Sequence, residues 1–331
     1  MLCRPVAPAC MPVSDSTSRL HGLLFGAAGA VLFSAKAILA KFQYAYGPDS
    51  LDVLSLRMLF ALPLFVVYGV LAARRLPPVR LSRRQWAVLW LIGLLGYYLS
   101  SLLDFWGLEY VPVSLERLIL FLSPTFVLLI GALWFGRRVS AAQWLALAIG
   151  YAGLLLVLRE NLRIEGEHVL FGSALILGAA LSYALYLVFS GELIERLGTA
   201  RLVLAAMTIS TLAVLAHYLL LRDWSDLWRW PAEVYLWAAA NALFCTFLPV
   251  TFTMAAVRRM GSGMASQLSI IGPVSLLFLG WWLLDEVITA LQLLGTGVVL
   301  VAVLLLGRET ARRGPATRKD APATTPEPPR P

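Results

Sequence analysis

A chain of 331 residues that is 60% hydrophobic and only 14% charged cannot hide its apolar side chains inside a water-soluble core. Soluble domains carry about 25% charged residues and about half apolar ones, so the composition excludes an ordinary globular protein and points to the lipid bilayer as solvent. A formal net charge of +8 would raise nucleic acid as a partner of a soluble chain. Here the basic residues sit in short loops beside apolar runs, and no nucleic-acid partner is expected.

Residues 1–20 are rich in Pro and Ser and hold Cys3 and Cys10. They lack the continuous apolar stretch of a signal peptide and read as a disordered tail, with Met11 as an alternative start. A spanning helix needs roughly 20 mostly apolar residues. Ten segments meet or approach that: 21–43, 51–73, 86–107, 111–135, 141–158, 169–190, 202–221, 234–256, 262–284 and 288–307. The fold class is therefore all-α and transmembrane. After Gly307 the composition turns to Arg, Pro, Ala and Thr, and residues 308–331 read as a second disordered tail.

With a cytoplasmic N-terminus, about 19 of the 27 basic residues fall in inside segments and about four in outside loops, so both termini are expected in the cytoplasm. The chain also repeats. A shift of about 149 residues lays Pro124 on Pro273, Gly131 on Gly280, Ala141 on Ala290, Gln143 on Gln292 and Leu145 on Leu294 without a gap. Five spans in each half put the second half upside down relative to the first, a recurring build of secondary transporters. Arg137 and Arg138 fall on Asp285 and Glu286, charges suited to opposite faces. The halves are 21–158 and 169–307.

Ionisable residues inside spans are functional candidates by default. Lys36, Lys41, Arg57, Asp104, Glu116 and Arg117 all lie in the first half. At 1.5 Å per residue, Lys36, Arg57, Glu116 and Arg117 come out roughly 10 Å below the outer surface, with Asp104 and Lys41 shallower. Two readings stand. The groups snorkel or pair as structural glue, or they line a water-filled vestibule with a surplus of two positive charges that favours a carboxylate on the substrate. His217 reads as a packed or interfacial imidazole. The stripe Gly22, Gly26, Ala30 and Ser34 reads as close helix packing. Pro124 and Pro273 each remove a backbone hydrogen bond in mid-helix, as hinges or as kinks that shape a cavity.

The run Leu115–Leu158, with LSPTF, LWFGRRVSAAQW and GYAGLLLVL, resembles one EamA module, and Met264–Leu306, with IIGPVSLLFLGWWLLDEVITALQLLGTGVVL, resembles another. EamA proteins belong to the drug/metabolite transporter superfamily. The resemblance implies ten helices in two inverted five-helix repeats, termini in the cytoplasm, and transport of amino acids, other metabolites or drugs. The family's paired prolines match Pro124 and Pro273, its basic residue early in the second helix matches Arg57, and its lysine late in the first helix resembles Lys41. Its acidic residue after the fourth helix is kept at Glu286 and replaced by Arg137. Lys36, Asp104, Glu116 and Arg117 stand where the family pattern is apolar or small, which marks them for substrate preference. Tyr183 and Gln267 become substrate-binding candidates from the cavity-facing helices of the resembled fold and the rule that such sites lie near mid-membrane.

A secondary transporter in the cytoplasmic membrane is thus the expected class, with a small-molecule substrate, the bilayer as its surroundings, and a homodimer left open. A membrane-embedded enzyme or a receptor is the alternative. His21, His168 and His217 are widely spaced, with no zinc-type motif and no Walker A sequence, so no metal, cofactor or catalytic residue is expected. Asp104 or Glu116 could carry a coupling proton, or stay ionised in a facilitator.

Overall fold

The computed structural model describes residues 15–74, 79–120, 122–136, 139–158, 168–268, 271–272, 274–275, 278–279 and 289–312. Among these every regular element is helical. In chain order they are α1 (Asp15–Ser34), α2 (Lys36–Tyr44), α3 (Ser50–Ala73), α4 (Arg83–Gly93), a π-helical segment (Leu94–Leu99), α5 (Ser100–Tyr110), α6 (Val113–Leu120), α7 (Ser123–Phe135) and α8 (Ala141–Leu158). There follow α9 (Val169–Leu197), α10 (Thr199–Leu221), a short 3₁₀ turn (Trp224–Trp228), α11 (Ala232–Ala242), a second π-helical segment (Leu243–Phe247), α12 (Leu248–Met260), α13 (Ser262–Gln267) and α14 (Ala290–Arg312).

Among the described residues six stretches are long and apolar enough to cross a membrane: Leu20–Tyr44, Ser50–Ala72, Arg83–Tyr110, Val169–Gly191, Thr199–Leu221 and Ala232–Met260. Ser123–Phe135, Ala141–Leu156 and Leu293–Ala302 are shorter apolar helices. With no water in hydrocarbon, each spanning segment must close its own backbone hydrogen bonds, and helices do so. Starts are set by polar caps. The Asp49 carboxylate accepts from Leu51 N and Asp52 N, both at 3.0 Å, while the Asp52 carboxylate accepts from Asp49 N, opening α3. Ser82 with Gln85 opens α4 in the same reciprocal way, and Ser140 with Gln143 does so at α8.

The repeat runs through the whole architecture. Equivalent elements start 149 positions apart: Ser50 and Thr199, Arg83 and Ala232, Leu94 and Leu243, Val113 and Ser262, Ala141 and Ala290. Even the two π segments, which widen the helix by one residue, obey that register. α5 and α12, at Ser100 and Leu248, start 148 apart, and the first span departs further. The first span breaks at Ala35 between α1 and α2, whereas α9 runs unbroken through the equivalent Ala184.

Sequence and structure differ at both tails and in the fourth span. α1 begins at Asp15, inside the segment expected to be disordered, where Asp15, Ser16 and Thr17 are residue types that favour helix starts. α14 continues to Arg312, past Gly307, because Arg308, Glu309, Ala311 and Arg312 are good helix formers and cations suit a helix C-terminus. The fourth segment is two helices, α6 and α7, with a turn at Leu122. Pro124 therefore lies in the first turn of α7, where its missing N–H costs nothing, and not in mid-helix. Pro273, Arg137, Arg138, Asp285 and Glu286 lie outside the described residues.

A central buried cluster joins both repeats, with Leu54, Met58, Phe65, Tyr97 and Phe105 from the first packed on Tyr186, Met207, Val250 and Met254 from the second. In lipid, helices associate through close packing more than through hydrophobic exclusion. The small-residue stripe shows how: α1 lies on α12, and a Cβ on Gly26 would stand 3.4 Å from Ala256 Cβ of α12 and clash with Leu268 just after α13. Leu133, Trp134, Leu170 and Leu220 point away from the bundle, as side chains that face lipid tails do.

At one end of the bundle the repeats are tied by charge. Arg222, just after α10, pairs with Asp49 and with Asp52 at the start of α3, and Tyr218 Oη donates to Asp52 Oδ1 at 3.0 Å. Burial pulls the Arg222 guanidinium down, but Asp49 and Asp52 outweigh it and hold it above its ordinary value.

Candidate functional site

The break at Ala35, the first π segment and the α6–α7 turn, all in the first repeat, meet at one cavity. Its wall takes Gly26 and Phe33 from α1, Lys36 from the first residue of α2, Gly96 and Tyr97 from the first π segment, and Ser100, Ser101 and Asp104 from α5. Leu120 and Ser123 enter from either side of the α6–α7 turn, Tyr183 from α9, Thr253 from α12, and Ser266 from α13. The cavity volume is about 110 Å³. A water needs about 10–15 Å³ on that measure, so the space holds several waters or a small organic solute. Where helices break or widen, backbone groups leave the regular ladder and side chains are re-aimed, which is why such sites recur at ligand positions.

Its charge chemistry centres on Lys36 and Asp104. Both are nearly inaccessible, at 3% and 2% exposure, and they form an ion pair. Lys36 Nζ also stands 4.0 Å from Glu116 Oε1, 4.8 Å from the Phe33 ring centroid and 5.4 Å from that of Phe105. Among the described residues Asp104 Oδ1 has no hydrogen-bond partner. An aromatic wall completes the site. Tyr97 meets Tyr186 edge-on at 5.2 Å and Tyr183 at 6.4 Å, and Phe33 stacks on Tyr183 at 6.3 Å.

Of the residues singled out in the sequence, Lys36, Asp104 and Tyr183 meet on the cavity wall. Glu116 is fully buried behind Lys36. Arg57 is fully buried beside the site, with its guanidinium carbon 4.8 Å from the Phe105 centroid and Asp104 as an electrostatic neighbour, but it does not line the cavity. Gln267 is buried too, donating to the Gln143 carbonyl at 3.4 Å, and is also off the wall. Lys41 donates to the Leu108 carbonyl at 2.6 Å, so its ammonium is held by backbone rather than reaching for the surface. Arg117 belongs to α6, and its side chain lies outside the described residues. His217 is packed against Tyr98, whose hydroxyl is 3.3 Å from Nδ1.

Sequence reading missed Phe33, Tyr97, Ser100, Ser101, Ser123 and Thr253. The spacing of Ser100, Ser101 and Asp104 places them on one face of α5 and was the available signal. Tyr97 and Phe33 carry none, since aromatic residues fill apolar spans everywhere. Asp104 and Thr253 are 149 positions apart and both line the cavity, as do Ser123 and Gly272. The repeats thus present equivalent positions to one space, with the charge on the first repeat's side.

No group of His, Cys, Asp or Glu suited to a metal ion occurs among the described residues. The wall offers an ion pair, hydroxyls and ring faces, which is equipment for binding a small polar solute.

A two-repeat helical membrane protein with a central cavity at its helix breaks has the architecture of a membrane transporter. The sequence profile of the EamA-like transporter family matches residues 20–159 and again 170–308, and the chain belongs to that family, within the drug/metabolite transporter type. An uncharacterized transporter of Bacillus subtilis, YcbK, is 29% identical over 287 residues, covering 85% of this chain and 91% of its own. The chloramphenicol-sensitive protein RarD of Pseudomonas aeruginosa is 29% identical over 302 residues, covering 88% and 95%. A solved crystal structure shares the fold with a TM-score of 0.71 at 18% identity, covering 90% of this chain and 99% of its own.

Proposed function

We propose that the protein is a secondary transporter of the cytoplasmic membrane that moves a small metabolite, an amino acid or another carboxylate-bearing solute, by alternating access of its two repeats. The observation that carries this reading is the cavity at the helix breaks, walled by equivalent positions of both repeats. Ten spans, an inverted second repeat and cytoplasmic termini belong to the same proposal. They are supported by the 149-residue register of the elements and by the distribution of basic residues.

The wall favours a carboxylate in two ways. α2 and α7 begin beside the cavity, at Lys36 and Ser123, and neither has a side chain capping its first backbone N–H groups. Helix N-termini favour anions through the helix dipole. The Lys36 ammonium adds a full positive charge at the same place. Transport then needs the wall to open to each side in turn. The break at Ala35, the turn at Leu122 and the two π segments are the joints at which one repeat can tilt against the other.

Flux into proteoliposomes across a panel of amino acids, organic acids and cationic drugs tests the proposal. A carboxylate-bearing solute is expected to enter faster than into protein-free vesicles, and Ser101→Trp, which fills the cavity, is expected to stop it. Equal flux with and without protein across the panel sinks the reading.

A further inference from the structure

The Lys36 ammonium is held as a free alkylammonium ligand would be. One carboxylate oxygen of Asp104 pairs with it, and the faces of Phe33 and Phe105 stand 4.8 and 5.4 Å away. A carboxylate with aromatic faces is a general means of recognising an amine cation. We infer that Asp104, Phe33 and Phe105 form an ammonium-binding site, which Lys36 fills with its own side chain in the empty protein and which the primary amine of a substrate takes over. This rests on the reading of the cavity as the substrate site.

Three observations support the exchange. First, Lys36 is the residue at the joint: it opens α2 directly after the break at Ala35, so its stem can swing without unwinding a continuous helix. Second, the site has an unmet acceptor. Asp104 Oδ1 is buried on the cavity wall without a hydrogen-bond partner among the described residues, because Lys36, reaching from its own backbone, serves the other oxygen, whereas an untethered ammonium is free to meet both. Third, the fold does not need the arrangement. At the equivalent positions of the second repeat, 149 residues on, Phe33, Lys36, Asp104 and Phe105 become Ser182, Leu185, Thr253 and Met254. The second repeat builds α12, the counterpart of α5, with Thr253 and Met254, and an unbroken α9 through Ser182 and Leu185, with no charge among them.

Charge decides the class of ligand. In the empty protein Lys36 and Asp104 answer each other's charge. An amine cation alone at Asp104 would leave the displaced Lys36 ammonium without that partner, and an anion alone at Lys36 would leave Asp104 without it, which is costly. A solute with an amine and a carboxylate close together avoids this. Its amine replaces the lysine at Asp104, and the released Lys36 ammonium meets its carboxylate.

Lys36→Ala empties the ammonium site while leaving Asp104 in place. The full-length variant in lipid nanodiscs at pH 7 is expected to be stabilised by butylammonium and ethylammonium, with a saturable Tm rise of roughly 2–4 °C at about ten times the apparent Kd. Tetramethylammonium, which has no N–H to donate, is expected to give less than half that rise. Lys36→Ala/Asp104→Asn is expected to give none, and the wild type little, because its own lysine competes. Should Lys36→Ala fold poorly, folded yield with and without butylammonium in the growth medium reads the same site, and Lys36→Met provides a second background. Absence of any amine effect on Tm or yield overturns the inference, as does an equal effect in the Asp104→Asn background. Either result leaves wild-type flux untouched, whereas absent wild-type flux with intact amine binding would overturn the transport reading alone.

Discussion

Breaking the Lys36–Asp104 pair one partner at a time is expected to cost far more than removing both. The two side chains are exposed by only 4% and 2% and lie against aromatic rings, so an orphaned charge has only the small cavity, and not bulk water, to turn to. Removing one partner of a buried pair costs about 3–5 kcal/mol, while replacing both with apolar groups of similar volume is often neutral. Lys36→Met leaves Asp104 with Arg57 as its charged neighbour, and Asp104→Leu leaves Lys36 with Glu116 at 4.0 Å, so each single variant keeps one charge nearby but loses the close pair. Lys36→Met/Asp104→Leu still leaves Glu116 without Lys36, so recovery in the double variant is large but incomplete. At about 2–4 °C per kcal/mol, Lys36→Met should lower Tm by roughly 6 °C or more, with the double variant falling less. Thermal unfolding of the four proteins in nanodiscs forms the cycle. Single losses under about 2 °C that add in the double variant would mean the pair is solvated and the buried cavity wall is wrongly drawn.

Gly96→Ala would put a Cβ 2.4 Å from Tyr186 Cδ2, against a side chain that is itself fully buried. Overpacking of this kind costs about 1–3 kcal/mol, so Tm and flux should both fall; a wild-type Tm contradicts the packing. Pro124→Ala removes a proline from a first turn, where no helix hydrogen bond is at stake. It should change stability by less than about 1 kcal/mol and keep transport, and a folded but inactive variant would make Pro124 a hinge after all. Asp52→Ala strips the buried Tyr218 and the half-buried Arg222 of a partner, while Arg229→Ala removes an exposed pair with Asp226 and a ring contact with Trp230. A Tm drop of several degrees is expected for the first and almost none for the second; equal drops would refute the tie between the repeats.

The scaffold was largely legible because hydrocarbon imposes a strict demand. Runs near 20 apolar residues must be helices, and the six spans long and apolar enough to cross a membrane coincide with segments read from composition. The register of 149 was readable from Pro124, Gln143 and their partners, and it proved to reach back to Ser50 and Thr199. What hydropathy hides is where a span breaks. Ala35 and Leu122 look like any apolar residue in a run, and Leu94 and Leu243 open π segments without a Gly or Pro at the first position. The candidate site was legible through its charges, since Lys36 and Asp104 stand out against lipid, and Tyr183 came from the resembled fold. Arg57 shows the limit: depth along a helix says nothing about which way a side chain faces, and this one faces Phe105 rather than the cavity.

Two-sided access to the cavity wall is the property on which the account depends. In a background without cysteines (Cys3, Cys10 and Cys245 replaced), Ser101→Cys places one thiol on the wall and Leu155→Cys places one on the lipid-facing side of α8. A membrane-impermeant thiol reagent, applied to either side of oriented vesicles, should label position 101 from both sides and position 155 from neither. Labelling at 101 from one side alone, or from neither, would contradict alternating access at this cavity.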